Sequence, residues 1–258
     1  MSFTKVKKGV CAAKGFVANG LNCGLNSDKN KNDLALVYSE TQCQAAAVYT
    51  TNKVKGAPIQ VTKAHLEASG HTAKAVIVNS KNANTCNADG VEKAQRMCEL
   101  AAAELSIDPN EVIVASTGVI GQVLPIEPIE SHIKELAKGL SADGNDKAVN
   151  AIMTTDTVPK QYAVKFMLGD CECTVGGMAK GSGMIHPNMA TTLNFITSDV
   201  AISSELIQKA LSEIVKVTYN CLSIDGDTST NDMVSIMANG LAGNTPITTE
   251  NDDYQTFK

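Results

Sequence analysis

Apolar residues recur along this chain with two periods, and together these predict a mixed α/β protein. Residues 74–80 (KAVIVNS) are apolar and β-branched, the mark of a buried strand. Residues 111–116 (EVIVAS) predict another. Between them, residues 90–105 (GVEKAQRMCELAAAEL) put Val91, Ala94, Met97 and Cys98 on one stripe at helical spacing. Residues 126–140 (IEPIESHIKELAKGL) read as a further helix, stopped at Gly139 or soon after. The runs QYAVKFML and CECTVGGM flank Gly169-Asp170, which predicts a hairpin. In TTLNFIT the pattern alternates, with Leu193 and Phe195 on one face. Residues 203–222 form a strongly amphipathic helix with Ser203 at its N-cap. The last stretch, TPITTENDDYQTFK, shows no closing element. No repeat, low-complexity tract or linker interrupts the pattern.

Composition narrows the class. A chain of 258 residues suffices for one large domain or two modest ones. Its 43% apolar content supports a real core and argues against disorder. A net charge of -5 and no basic aromatic patch argue against nucleic-acid binding. The start, MSFTKVKKGVCAAKGF, holds no apolar segment of signal-peptide length, and no run approaches a membrane span. A soluble cytoplasmic protein is expected, binding neither nucleic acid nor membrane. Eight scattered cysteines without a secretory signal predict free buried thiols rather than disulfides. Cys171 and Cys173 share a face of a predicted strand, yet no second pair or nearby histidine completes a four-ligand zinc site, so no metal is expected. None of His65, His71, His132 and His186 falls in an HExxH or Ser/Cys-His pattern. The first three read as exposed or satisfied side chains.

Three constellations could carry chemistry. Ser116-Thr117-Gly118-Val119-Ile120-Gly121 follows a predicted strand directly. Such a turn exposes backbone N–H groups and can hold an oxyanion or phosphate, although most are simply turns. Residues 223–232 (SIDGDTSTND) are dense in short polar side chains. Asp225, Asp227 and Asp232 do not fit the EF-hand spacing, and a loop satisfying its own backbone is the favoured reading. The third is AKGSGMIHPNMATT, residues 179–192, which contains His186. A threonine hydroxyl becomes a good nucleophile when it is the first residue of a chain, with its own α-amine as base. That amine has a pKa of about 7.7–8.0, so part of it is neutral at pH 7. An internal threonine reaches that state by an N→O acyl shift and hydrolysis of the ester. Gly181, Gly183 and the small Ala190 supply the bendable lead-in and the room for attack. Spacing leaves Thr191 and Thr192 as equal candidates.

Here the residues resemble a known family. KGSGMIHPNMATTLNFITSD is similar to the signature of the ornithine acetyltransferases, the bifunctional glutamate N-acetyltransferases of arginine biosynthesis, in which cleavage falls between Ala and Thr. STGVIG looks like that family's oxyanion-hole turn, and SIDGDTSTND like its second signature loop. The opening segments GFVANGLNCGLNSDKNKNDLALVYSETQCQAAAVYTTNKVKGAPI and VNSKNANTCNADG match as well, so the resemblance runs from about Gly15 to about Gly240. It implies an α/β fold of two packed β-sheets between helical layers, an α/β/β/α sandwich of the DmpA and ornithine-acetyltransferase type. It implies Thr191 as nucleophile, freed by cleavage after Ala190, with Thr117 and Gly118 as oxyanion hole and Thr154 and Lys180 as substrate contacts. The implied enzyme is an acyltransferase without cofactor, moving acetyl from N-acetylornithine to glutamate through an acetyl-threonine. Some members also use acetyl-CoA. Cleavage would give an α piece, residues 1–190, and a β piece, residues 191–258, assembling as two α and two β chains.

The sequence departs from the family at Lys81, where a glycine is usual, and at His186, where a small residue is usual. Family members also continue for well over a hundred residues, contributing a glutamate, an asparagine and a hydroxyl residue that have no counterpart here, so a chain lacking the C-terminal part is expected. Two rival readings remain on the residues: a related self-cleaving amidohydrolase or aminopeptidase, and a non-catalytic fragment of the same fold.

Overall fold

The longest element, β3 (Leu34–Tyr49), organises the molecule, a computed structural model in which residues 3–184 and 192–258 are described. Its first half pairs with β2 (Phe16–Leu21) on one side and β4 (Thr72–Asn79) on the other. Its second half pairs with β9 (Met233–Ala238). The register with β4 shifts between Tyr38 and Cys43, a bulge of the kind that bends a strand. From β9 the ladder continues through β8 (Leu193–Ser198), β7 (Cys171–Lys180), β6 (Lys160–Leu168) and β1 (Thr4–Val6). Beyond β4 it ends in β5 (Val112–Ser116). The β4–β5 and β8–β9 pairs are parallel and the others antiparallel.

The two sheets expected from the resemblance are the two halves of this one hydrogen-bonded ladder. A central core contains Val37, Val76 and Ile113 from one half and Met178, Phe195 and Met237 from the other. Alternate residues face outward into two further cores. Ile77 and Val114 meet Met97 of α2 (Gly90–Leu105) and Leu136 of α3 (Glu127–Lys138). Val234 and Ile236 meet Leu211 of α5 (Ser204–Val217). The layers therefore run helix, sheet, sheet, helix. Helix α4 (Asn145–Ile152) adds Ala148, Val149 and Ile152 to the central core.

An edge strand such as β5 exposes unpaired backbone groups. Side chains of α1 (Ala57–Ala68) occupy them here. The Thr62 hydroxyl donates to Val114 O at 2.8 Å and accepts from Val114 N–H at 2.9 Å. His65 Nδ1 lies 3.1 Å from Val112 O, and its Nε2 bonds the Gln95 side chain. That histidine is satisfied in the core, as expected.

Several expectations need correction. Val91 is 49% exposed, because the buried stripe of α2 runs through Gly90, Ala94, Met97, Cys98, Ala101 and Ala102 and leaves it out. The helix capped by Ser203 stops at Val217 rather than near residue 222, and a short 3-10 turn, Tyr219–Cys221, follows. A closing element exists: α6 (Asp252–Phe257), capped by Asn251, buries Tyr254 completely. All eight cysteines are free, but Cys86 and Cys221 are exposed and Cys171 half-buried. Among the described residues no helix is long and apolar enough to cross a membrane.

Candidate active site

Strand β5 ends at Ser116, and the chain turns through Thr117 and Gly118 over the loop that follows β4. The Thr117 N–H donates to Asn79 O at 3.0 Å and the Val119 N–H to Lys81 O at 3.1 Å, which fastens the turn to that loop. Gly118 has φ 139°, and a Cβ there would stand 2.1 Å from the Lys81 carbonyl carbon. Glycine alone meets both conditions.

Strand β7 ends at Lys180, whose partner across the ladder is Leu193, the first residue of β8. Lys180 is 8% exposed and donates from Nζ to Thr117 Oγ1 at 3.0 Å. Burial lowers its ammonium pKa below the ordinary 10.5, while the charges of Asp156 and Asp232 work the other way. An ammonium group only donates, so Thr117 Oγ1 is the acceptor in this pair. The threonine keeps its own O–H proton for another acceptor. A charged donor on the oxygen also polarises that O–H bond.

A third segment, entering β9, locks the other two. Asn231 is 6% exposed, and its Nδ2 donates to Ala83 O at 2.6 Å and Ser116 O at 2.9 Å. Its Oδ1 accepts from the Thr85 hydroxyl at 2.6 Å and the Thr230 hydroxyl at 2.7 Å. Two carbonyl partners fix which end of the amide is nitrogen, and all four of its hydrogen-bonding positions are used. One side chain thus rivets the Thr117 turn to the loop after β4 and to the start of β9.

The rim comes from the segment between α4 and β6. Asp156, its side chain 1% exposed, accepts from the Gly181 N–H at 2.9 Å, the Thr154 N–H at 3.3 Å and Lys160 Nζ at 2.5 Å. Burial by itself would raise its carboxyl pKa. The bonds from Lys160, Gly181 and Thr154, with the lysine's charge, reverse this and leave it below the ordinary 3.8. Asp156 therefore pins the first residue after β7. Three residues on, the Met184 N–H donates to Asp225 at 2.5 Å.

These parts surround a cavity of about 430 Å³. Thr117, Gly118, Thr154 and Lys180, four of the expected site residues, all line it. Ala190, Thr191 and His186 lie outside the described residues, but Thr192 lines the cavity. The loop of residues 223–232 divides in two. Asp227 N–H bonds Asp225 within the loop, as a self-satisfying loop should, whereas Asn231 and Asp232 face the site. Among the described residues no cluster of His, Cys, Asp or Glu could hold a metal ion. Asn231 and Asp232 belong to the 223–232 constellation, for which the sequence favoured a loop satisfying its own backbone, and Asp156 carried no sequence signal. The signal for the first two was their place directly before the apolar run MVSIMA, which becomes β9.

Four layers, a glycine turn and a buried lysine–threonine pair define a helix–sheet–sheet–helix sandwich with a cavity where β5, β7, β8 and β9 meet. A model of the ArgJ family matches residues 17–258, and the chain belongs to the ArgJ family. It is 50% identical over 244 residues to the arginine biosynthesis bifunctional protein ArgJ 1 of Clostridium acetobutylicum, covering 94% of this chain and 59% of that protein. It is 49% identical over 255 residues to the Bacillus subtilis ArgJ protein, covering 98% and 62%. The chain thus spans about three fifths of the length of these relatives. Among solved structures, ornithine acetyltransferase from Mycobacterium tuberculosis, complexed with ornithine, superposes with TM-score 0.65 at 36% identity, covering 72% of this chain and 98% of that one. The ArgJ protein of Bacillus halodurans gives TM-score 0.68 at 39% identity, covering 73% and 98%. An L-aminopeptidase D-Ala-esterase/amidase from Ochrobactrum anthropi, at 12% identity and TM-score 0.53, shares the fold.

Proposed function

We propose that this chain is the self-processing, nucleophile-bearing part of an acetyltransferase of arginine biosynthesis that moves acetyl from N-acetylornithine to glutamate. The observation that carries the reading is the convergence of Thr117, Gly118, Lys180 and Thr192 on one cavity, in a chain of the ArgJ family. Thr191 Oγ attacks the Ala190 carbonyl, and water hydrolyses the ester formed. The freed α-amine of Thr191 is then the base for its own hydroxyl. That hydroxyl attacks the acetyl carbonyl of N-acetylornithine, and ornithine leaves as the amine. The α-amine of glutamate attacks the acetyl-threonine and regenerates the enzyme. In both half-reactions a negatively charged oxygen forms and needs donors already in place. The Thr117 hydroxyl, polarised by Lys180, and the Gly118 N–H suit that role. Lys180 retains further N–H donors and a positive charge for a substrate carboxylate, which both substrates carry. Thr154 stands at the rim as a second substrate contact.

The pieces 1–190 and 191–258 stay together in this reading, as α and β chains assembling two of each. Strand β8 would begin almost at the new N-terminus, paired on both sides. Intact mass and N-terminal sequencing test the processing. Fragments of about 20 and 7 kDa by proportion of length are expected, the smaller starting at Thr191, and Thr191→Ala should leave one 27.1 kDa chain. Two fragments from Thr191→Ala would overturn the assigned cleavage site. Release of ornithine from N-acetylornithine should require glutamate. Release that ignores glutamate would favour the hydrolase reading, which the shared fold keeps as the alternative. The same assay with acetyl-CoA as donor tests the second activity.

A further inference from the structure

Lys81 sits in the left-handed region, with φ 77°. Such backbone suits glycine, or an asparagine that bonds its own backbone, and lysine has neither advantage. The position cannot relax, because Lys81 O accepts from the Val119 N–H and its carbonyl carbon lies against the Cα of Gly118. A strained residue held firmly at a cavity wall points to a use for its side chain. That side chain is exposed and lines the same cavity as Lys180. The two cations stand in different company. Lys180 is buried, bonded to Thr117 and balanced by Asp156 and Asp232. Lys81, among the described residues, enters no ion pair.

We infer that Lys81 is a specificity-determining residue whose ammonium group receives the second carboxylate of a dicarboxylic amino-acid acceptor at the cavity rim. Lys180 and Thr154 take the part common to both substrates, and Lys81 recognises what glutamate has and ornithine lacks. The inference rests on the acetyltransferase reading given above.

Calorimetric titration of glutamate and glutamine separates the two ideas, since glutamine has the same shape without the second charge. The wild-type chain is expected to bind glutamate roughly tenfold more tightly than glutamine, the scale of one charge-assisted hydrogen bond. Lys81→Met should abolish that preference and Lys81→Arg should keep it. Lys81→Gly should also abolish it while raising Tm, because strain leaves with the side chain. Retention of the preference in Lys81→Met, or a wild-type protein that transfers acetyl to glutamate yet does not distinguish the pair, overturns the role of Lys81 and spares the acetyltransferase. A wild-type protein that neither transfers acetyl to glutamate nor binds it overturns both. An unchanged or lower Tm in Lys81→Gly removes the strain on which the inference is built.

Discussion

Thr117 shows how much chemistry depends on the direction of one hydrogen bond. Its oxygen accepts from Lys180, so its proton is free to stabilise a forming oxyanion. Thr117→Val keeps the shape and removes that donor. The rate of acetyl transfer is expected to fall roughly 10²–10³-fold, the usual effect of losing one oxyanion donor. Thr117→Ser should restore most of it, together with the stability that Thr117→Val loses by taking the acceptor from the buried Lys180 ammonium. Substrate KM separates this from a binding defect: kcat should fall while KM stays near the wild-type value. A Thr117→Val enzyme with full kcat would remove Thr117 from the oxyanion site. The residue was readable from sequence as part of a glycine turn, and the family resemblance gave it a role. What the sequence could not supply was Lys180 as its partner, since 63 positions separate the two. The link forms only because β5 and β7 end beside the same cavity.

Among the elements, legibility followed locality. Helix α2, strands β4 and β5 and the β6–β7 hairpin came directly from the pattern, because each has a period or turn of its own. Helix α1 escaped, since two residues on its buried face, Thr62 and His65, are polar and serve the edge of β5. Strand β9 escaped because MVSIMA is buried on both faces and shows no alternation. The bulged β3 was missed for a third reason: its two halves belong to different layers. The segment from Gly181 to Met184 has no element of its own and is held from outside by Asp156 and Asp225. Asp156 makes that support pH-dependent. Its carboxyl is more acidic folded than unfolded, so the folded state binds this proton less readily. The stabilisation it gives is complete above pH 3.8 and is lost as pH falls through the lower folded value. Asp156→Asn removes that titration. Unfolding followed by circular dichroism between pH 5 and 2 should show a shallower acid limb in the variant than in the wild type. Processing into two fragments should also slow, because the anchor of Gly181 is weakened. Identical acid limbs would show that Asp156 does not carry this stability.

At the scale of the whole molecule, the proposed cut falls in the middle of a continuous ladder. Strand β8 is hydrogen-bonded to β7, which precedes the cut, and to β9, which follows it. Its Leu193 and Phe195 enter the core shared by both halves of the sheet. Cleavage before β8 therefore breaks one covalent bond and no layer. The start of β8 would keep its place beside Lys180 after such a cut, because Leu193 remains the ladder partner of Lys180. A processed protein is expected to elute from a sizing column as one species containing both fragments and to separate only when denatured. Phe195 is 1% exposed, and Phe195→Ala leaves a cavity where the two sheet halves meet. Such truncations cost about 3–5 kcal/mol, which for a chain of this size lowers Tm by roughly 10 °C. The variant should release its smaller fragment at a lower denaturant concentration than the wild type. Two rates then separate cause from consequence. Cleavage in Phe195→Ala should proceed as in the wild type below its Tm, since the reacting groups are untouched, while association of the fragments weakens. If the fragments of the wild-type protein part without denaturant, β8 does not hold them and the new N-terminus would leave the site that needs it.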